Sequence, residues 1–382
     1  MVQTVALKEL CEIDITDGTH KTPIYADQGY IFLSSKNVTS GSIDWDNVMY
    51  IPKELHEELY ARLAPQRDDI LLAKNGTTGI AAIVDRDEVF DIYVSLALIR
   101  PDKRKITPRY LLHAINSEPS KEFFNSHLKG IGVPNLHLTH IRETPIKVPT
   151  FEQQKKIIRV LDKMDNLISL RKQQLAKLDE LVKARFVELF GDCKNMVLMN
   201  DLCSIITDGT HQPPKFQNEG IPFIFVSNLA NNTVTYNAEK FISEETYNEL
   251  INRTPIEIGD ILLTTVGSYG HPAVVVEERR FLFQRHIAYL KPKHDLVNSY
   301  YLHSALLAPD GQRQIEEKVK GIAQKTLNLS EIRKIMIPIP SVEEQNAFEL
   351  FIKQTDKSKS AIQKSLDKME TLKGALMQKY FG

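Results

Sequence analysis

This chain is two copies of one unit. Asp17-Gly18-Thr19-His20 returns as Asp208-Gly209-Thr210-His211, a shift of 191 positions (208 − 17). The same shift carries Asp69-Ile70-Leu71-Leu72 onto Asp260-Ile261-Leu262-Leu263, Gly130 onto Gly321, Leu136 onto Leu327, Ile141 onto Ile332, Pro149 onto Pro340, Gln154 onto Gln345 and Phe190-Gly191 onto Phe381-Gly382. Solenoid repeats run roughly 20 to 50 residues. A unit this long is instead a whole domain with its own core. Two similar reading heads on one chain predict a ligand with two similar ends.

Inside each copy the hydrophobic pattern changes once, which predicts domains at 1–150 and 192–341 and helical segments at 151–191 and 342–382. In the first domain Tyr30–Ser34, Asp69–Ala73 and Ile80–Val84 are short β-rich runs bounded by Gly, Asn or Asp. Their partners are Pro222–Val226, Ile261–Thr265 and Ala273–Val276. Short helices are predicted near Pro108–Asn116 and Asn298–Leu307. The fold class is α+β: two similar mixed α/β domains, each on a curled sheet.

After Pro149, alternate steps of four and three from Ile157 land on Leu161, Met164, Ile168, Arg171, Leu175, Leu178, Val182, Arg185 and Leu189. The matching walk reads Phe348, Ile352, Thr355, Lys359, Ile362, Leu366, Met369, Lys373, Leu376 and Tyr380. Neither segment contains proline, and each ends on Phe-Gly, where glycine suits a left-handed C-terminal position. Sustained 3.5-residue spacing predicts a coiled coil rather than two helices lying on their own domains. Its seam holds Leu161, Ile168, Leu175 and Leu178 on one helix and Ile352, Ile362, Leu366 and Met369 on the other. The linker from Asp192 to Asn200 is short, so the two helices must run antiparallel, giving a pseudo-twofold arrangement. At 1.5 Å per residue such a spacer is roughly 55 to 60 Å long, more than one turn of B-DNA at roughly 34 to 36 Å.

A net charge of −1 argues against a generic nucleic-acid binder, so a DNA surface would have to be a local patch. With 42% hydrophobic and 25% charged residues the chain reads as an ordinary folded protein. It has no apolar run of roughly 18 residues and no basic-then-apolar N-terminus, so no membrane partner and a cytoplasmic location are expected. Cys11, Cys193 and Cys203 form no CxxC pair and are read as reduced, buried thiols.

The domain exit carries the most specific signal. Leu136 to Gln154 (LHLTHIRETPIKVPTFEQQ) returns as Leu327 to Gln345 (LNLSEIRKIMIPIPSVEEQ). With the Asp-Gly-Thr-His motifs and the run Gly259 to Leu262, this resembles the DNA specificity subunit of Type I restriction-modification systems over essentially the whole chain. The resemblance implies two target-recognition domains alternating with two conserved helices, and no catalysis by this chain. It further implies double-stranded DNA, two methyltransferase subunits and a restriction subunit as partners. S-adenosylmethionine, ATP and Mg would belong to those partners, leaving no cofactor and no metal here.

Base edges are read by exposed side-chain donors on loops, and phosphates by cations and free amides. Five segments per copy qualify. The Asp-Gly-Thr-His loops lead into Lys21 and into Gln212 and Lys215, with an Asx-type turn as the alternative role for Asp17 and Asp208. Lys36 and Asn37 match Asn228. The glycine loops offer Lys74, Asn75, Thr77 and Thr78, and Thr264, Thr265, Ser268 and Tyr269; plain hairpin turns are the alternative. Among the basic stretches Arg104 and Arg285 are phosphate candidates. Lys129, Asn135 and His137, and Gln324, Lys325 and Asn328, precede the exit strands. Lys74-Asn75 opposes Thr264-Thr265, and Val133-Pro134-Asn135 opposes Gln324-Lys325-Thr326, so the target should be asymmetric, with two unlike half-sites.

No adenine-methyltransferase tetrad, P-loop or HExxH pair appears. Pro309-Asp310 with Glu316 and Lys318 imitates a nuclease pattern, but in a charged helical stretch and in one copy only. The rival reading is a coiled-coil scaffold whose two domains bind proteins. Salt dependence separates the two, because DNA affinity falls steeply with salt. Lysines and arginines outnumber acids on the first long helix, which leaves a basic outer face for partner helices.

Overall fold

The computed structural model describes residues 3–38, 41–128, 134–321 and 324–382. It divides into two compact units, Met1–Leu170 with Ser365–Gly382, and Arg171–Lys364.

In the first unit an antiparallel sheet runs in the order Thr16–Asp17, Leu96–Ile99, Ile70–Ala73, Ala81–Ile83. A three-stranded sheet, Met49–Ile51, Tyr30–Leu33, Phe90–Ile92, has its last pair parallel. The two central strands of the larger sheet are buried throughout and show no polar alternation, as a sheet covered on both faces requires. Alternation instead divides residues between two cores. Ile70, Leu72, Ala97 and Ile99 pack with the helix Pro108–Ile115, while Leu71, Ala73, Leu96 and Leu98 pack with Leu33, Val38 and Phe90.

The second unit repeats this design. Its sheets are ordered Cys203–Asp208, Ile287–Pro292, Ile261–Thr264, Pro272–Val274, and Lys240–Ile242, Ile221–Ile224, Leu282–Phe283. Predicted strands are trimmed at their ends: Val226 begins a short 3-10 turn and Val276 is exposed.

In each unit the chain enters and leaves the head side by side. Gln3–Ala6 pairs antiparallel with Pro145–Val148, and Met196–Leu198 with Met336–Pro338.

Two unbroken 40-residue helices, Phe151–Phe190 and Val342–Phe381, supply the predicted coiled-coil segments. In the first unit Ile157 and Leu161 share a core with Leu376, Met377, Tyr380 and Phe381, and Lys373 pairs with Asp165 at 2.5 Å. In the second, Lys359 pairs with Asp179 at 2.5 Å, while Phe186 and Phe190 pack on Phe348. Rising numbers on one helix meet falling numbers on the other, so the pairing is antiparallel in each unit. All eight predicted seam residues are buried or half-buried. The two lysines that interrupt the apolar stripe are the ones held by aspartates across the seam.

Two expectations fail at the helix ends. Leu189 is exposed, because Phe186 and Phe190 take the inward positions; a 3.6-residue helix drifts off a 3.5-residue walk. Gly191 does not adopt positive φ but continues the helical bonding, its N–H donating to Val187 O at 2.8 Å.

The glutamines that recur at the domain exits, Gln154 and Gln345, are fully buried clamps. The Thr107 amide donates to Gln154 Oε1 and Gln154 Nε2 donates to Pro149 O, both at 2.9 Å. The Asn298 amide donates to Gln345 Oε1 at 2.8 Å, and Gln345 Nε2 donates to Leu296 O and Pro340 O. Each side chain therefore ties the first turn of a long helix to its own head. Gln154→Ala or Gln345→Ala strands a buried amide and carbonyl, so a loss of about 1–3 kcal/mol is expected in urea unfolding. A midpoint equal to that of the parent chain would rule out the clamp.

Candidate nucleic-acid interface

Strand register gathers most of the candidate segments on one edge of each head. Asp17 pairs with Ala97 and Ala73 with Leu96, so the Asp-Gly-Thr-His loop, the glycine loop and the turn Tyr93–Ser95 sit together. The pre-exit loop joins them: Gly76 N–H donates to Pro134 O at 3.1 Å, Leu136 N–H donates to Lys74 O at 2.8 Å, and Asn75 bridges to Asn135. The Ser35 amide, donating to Ser95 Oγ at 3.0 Å, brings in the Lys36 loop. The second head repeats the edge, with Gly267 N–H donating to Lys325 O, Leu327 N–H to Thr265 O and Arg285 N–H to Thr210 O.

Lys21, Lys36, Thr77, His137, Gln212, Lys215, Ser268, Arg285, Gln324, Lys325 and Asn328 are exposed, and Asn75, Thr78, Asn135 and Tyr269 half-buried. Lys129 lies outside the described residues.

Five expected readers are instead internal. Lys74 is buried against Asp17 at 3.2 Å, since it extends the fully buried Ile70–Ala73 strand by one residue. Asn37 and Asn228 are matching buried staples. The Ser34 and Phe225 amides donate to their Oδ1 atoms, and their Nδ2 atoms donate to Asp44 O and Asn47 O, and to Thr235 O and Asn237 O. Thr264 accepts from the His271 amide through Oγ1, and Thr265 is equally enclosed. Arg104 fails for another reason. Ile70 pairs with Ile99, so the segment that follows Ile99 directly starts at the opposite end of the sheet, and there Arg104 is paired with Asp102.

The Asp-Gly-Thr-His motif proves to be framework. Asp17 and Asp208 bond side chains rather than their own backbone: His20 and Lys74 in the first head, His211 and Arg253 in the second. Arg62 and Arg253, one repeat apart, also donate to the Asp17 and Asp208 carbonyls. A Cβ on Gly18 would stand 1.9 Å from Ile92 O, and one on Gly209 2.2 Å from Phe283 O. Gly18→Ala or Gly209→Ala must therefore push the motif off the neighbouring strand. A loss of about 1–3 kcal/mol is expected in a urea melt, with an unmoved midpoint as the contrary result.

Lys325, Tyr269 and Glu316 form one exposed cluster. Lys325 Nζ donates to Glu316 Oε1 at 2.9 Å, and the Tyr269 hydroxyl bonds the other oxygen. Tyr269 first and then Lys325 hold the Glu316 carboxyl below its usual range. Glu316 lies in the helix Pro309–Lys318, engaged with these neighbours.

Sequence reading overlooked the turn Tyr93–Ser95, which carries no charge, although its counterpart Gln284–His286 holds the candidate Arg285. The overlooked Arg62 and Arg253 were marked by the 191-residue shift. Among the described residues one set of groups has metal-ligand spacing, His113, Asp162 and Asp165, but Arg109 and Lys373 already occupy the two carboxylates. Burial pushes the Asp162 carboxyl up, and its bonds to His113 and Arg109 outweigh this and hold it below the ordinary range. Burial lifts the Cys11 and Cys203 thiols to about 12, although Cys11, like Cys193, is only half-buried.

The family model for the Type I restriction modification DNA specificity domain matches residues 1–180 and again 194–371. The chain belongs to that family. It is 23% identical over 321 residues to the Type I restriction enzyme EcoBI specificity subunit of Escherichia coli, covering 74% of this chain and 67% of that one. It is also 23% identical to the putative MjaX specificity subunit of Methanocaldococcus jannaschii, covering 91% and 85%. The Type I system S subunit of M. genitalium shares the fold, with a TM-score of 0.54 at 14% identity over 100% of this chain and 96% of that one. A chain solved in work on complex assembly and conformational transition of the type I R-M system has the same TM-score at 18% identity, covering 100% and 97%. No helix among the described residues is long and apolar enough to cross a membrane.

Proposed function

We propose that this chain is the non-catalytic DNA specificity subunit of a Type I restriction-modification complex in the cytoplasm. Residues 1–150 and 192–341 are its target-recognition domains, and 151–191 and 342–382 its conserved helices. The carrying observation is the duplicated edge, on which one framework presents different side chains. Backbone bonding shifts the sequence pairing of Lys74-Asn75 with Thr264-Thr265 by one residue, so Asn75 is the equivalent of Val266; Pro134 is likewise the equivalent of Lys325, and Val94 of Arg285. Unlike edges on like frames suit an asymmetric target of two blocks. The long helices dock two methyltransferase subunits, and a restriction subunit joins the assembly. S-adenosylmethionine, ATP and Mg are bound by those partners.

Long-read mapping of modified bases in cells with and without the gene tests the reading. A motif of two short unlike blocks should vanish on deletion, and exchanging residues 1–150 for another recognition domain should alter one block only. Binding of the assembled complex to duplex DNA should weaken steeply with salt. A flat salt response with no motif lost would overturn the proposal in favour of a protein-binding scaffold.

A further inference from the structure

We infer that Arg285 reads a guanine in the major groove and is one of the residues that make the block specified by the second head differ from that of the first. This rests on the DNA-specificity reading above. Sequence alone marks Arg285 as a phosphate contact; its surroundings assign it a base.

Arg285 is exposed at the tip of the turn between the strands Leu282–Phe283 and Ile287–Pro292. The turn is pinned on both flanks, with Arg285 N–H donating to Thr210 O at 3.1 Å and Thr265 N–H donating to His286 O at 2.9 Å. The guanidinium therefore projects from a fixed backbone. It lines a cleft with Asp208, Val266, Gln324, Thr326 and Asn328, on the edge where the glycine loop and the pre-exit loop meet.

Arg285 lacks the counter-charge that holds several other cations of this head. Arg253 is bound to Asp208, Lys325 to Glu316, Arg280 to Glu244 and Arg313 to Asp310 and Glu317. Among the described residues no carboxylate lies within ion-pair distance of Arg285; its Nε approaches only His286 Nε2, at 3.4 Å. Burial, and then the charge of Arg285 itself, lower the His286 pKa, so that neighbour is neutral and competes for no anion.

An arginine without a counter-charge, held in a cleft beside Gln324 and Asn328, is equipped for the two parallel donors that match guanine O6 and N7. A phosphate contact needs no such cleft and no such company. In the first head the register equivalents of Gln284-Arg285-His286 are Tyr93-Val94-Ser95, which carry no cation, so the corresponding position there is read differently.

The experiment uses the complete complex expressed in cells with its modification subunits, with long-read mapping of modified bases for the parent, Arg285→Ala and Arg285→Lys. The parent must first give a two-block motif; without one, the specificity reading itself fails, irrespective of Arg285. Given the motif, Arg285→Ala is expected to relax one guanine in one block, cutting discrimination there by roughly ten- to a hundredfold, with the other block unchanged. An unchanged motif modified less at every site would mean a phosphate contact and overturn the inference. Should Arg285→Ala modify nothing, Arg285→Lys decides. It keeps the charge but loses the fork, so relaxation at the same base supports the assignment and an intact motif refutes it.

Discussion

Lys74→Ala is expected to lower the stability of the first head by about 3–5 kcal/mol, because it leaves the buried Asp17 carboxylate without its ammonium partner. The measurement is urea unfolding of the full chain, with modification of the first block as the functional readout. Replacing both groups, Lys74→Met with Asp17→Leu, should recover part of the stability, since two apolar side chains leave no orphaned charge. A single variant as stable as the parent would remove the buried pair from the account. The second head has Thr265 at the register position of Lys74 and satisfies Asp208 from the surface through Arg253 and His211. Arg253→Ala should consequently cost less than Lys74→Ala.

The other large effect belongs to the seam. Phe348 is 2% exposed, with its ring 5.6 Å from Phe186, 5.5 Å from Phe190 and 6.4 Å from Tyr301. It joins both long helices to the core of the second unit. Phe348→Ala should cost about 3–5 kcal/mol by opening a cavity there. Recovery of the modification complex should fall with it, while Leu350→Ala, at a residue 69% exposed on the same helix, leaves stability within about 0.5 kcal/mol of the parent. Equal unfolding midpoints for Phe348→Ala and the parent would show that the aromatic cluster does not hold the second unit.

Much of this architecture is legible from residue order alone. Periodicity found the seam because burial repeats along a helix face, and the 191-residue shift found the heads because both copies need the same turns and strand cores. The shift even explains one substitution. Gly259 takes φ 95° and its equivalent Asp68 takes φ 73°, a left-handed position that aspartate tolerates better than most side chains. The edge was legible as a set of segments but not side chain by side chain. Lys74, Asn37 and Asn228 have the chemistry of DNA readers, yet each spends it on the protein's own carboxylate or backbone. Arg104 sits one strand-length from the edge, a displacement visible only once Ile70 is paired with Ile99. Conversely, the turn that presents Arg285 has an uncharged counterpart in the first head, so charge alone did not mark it as a shared reading position.

The adjacent entry and exit strands have a consequence for how such a protein changes. Gln3–Ala6 lies against Pro145–Val148, and Met196–Leu198 against Met336–Pro338, so each head is a cassette whose two ends are zipped together. Everything between the ends can diverge, lengthen or be replaced without altering where the chain resumes. New specificities can therefore arise by exchange at these short seams, while the helices beyond them keep their register.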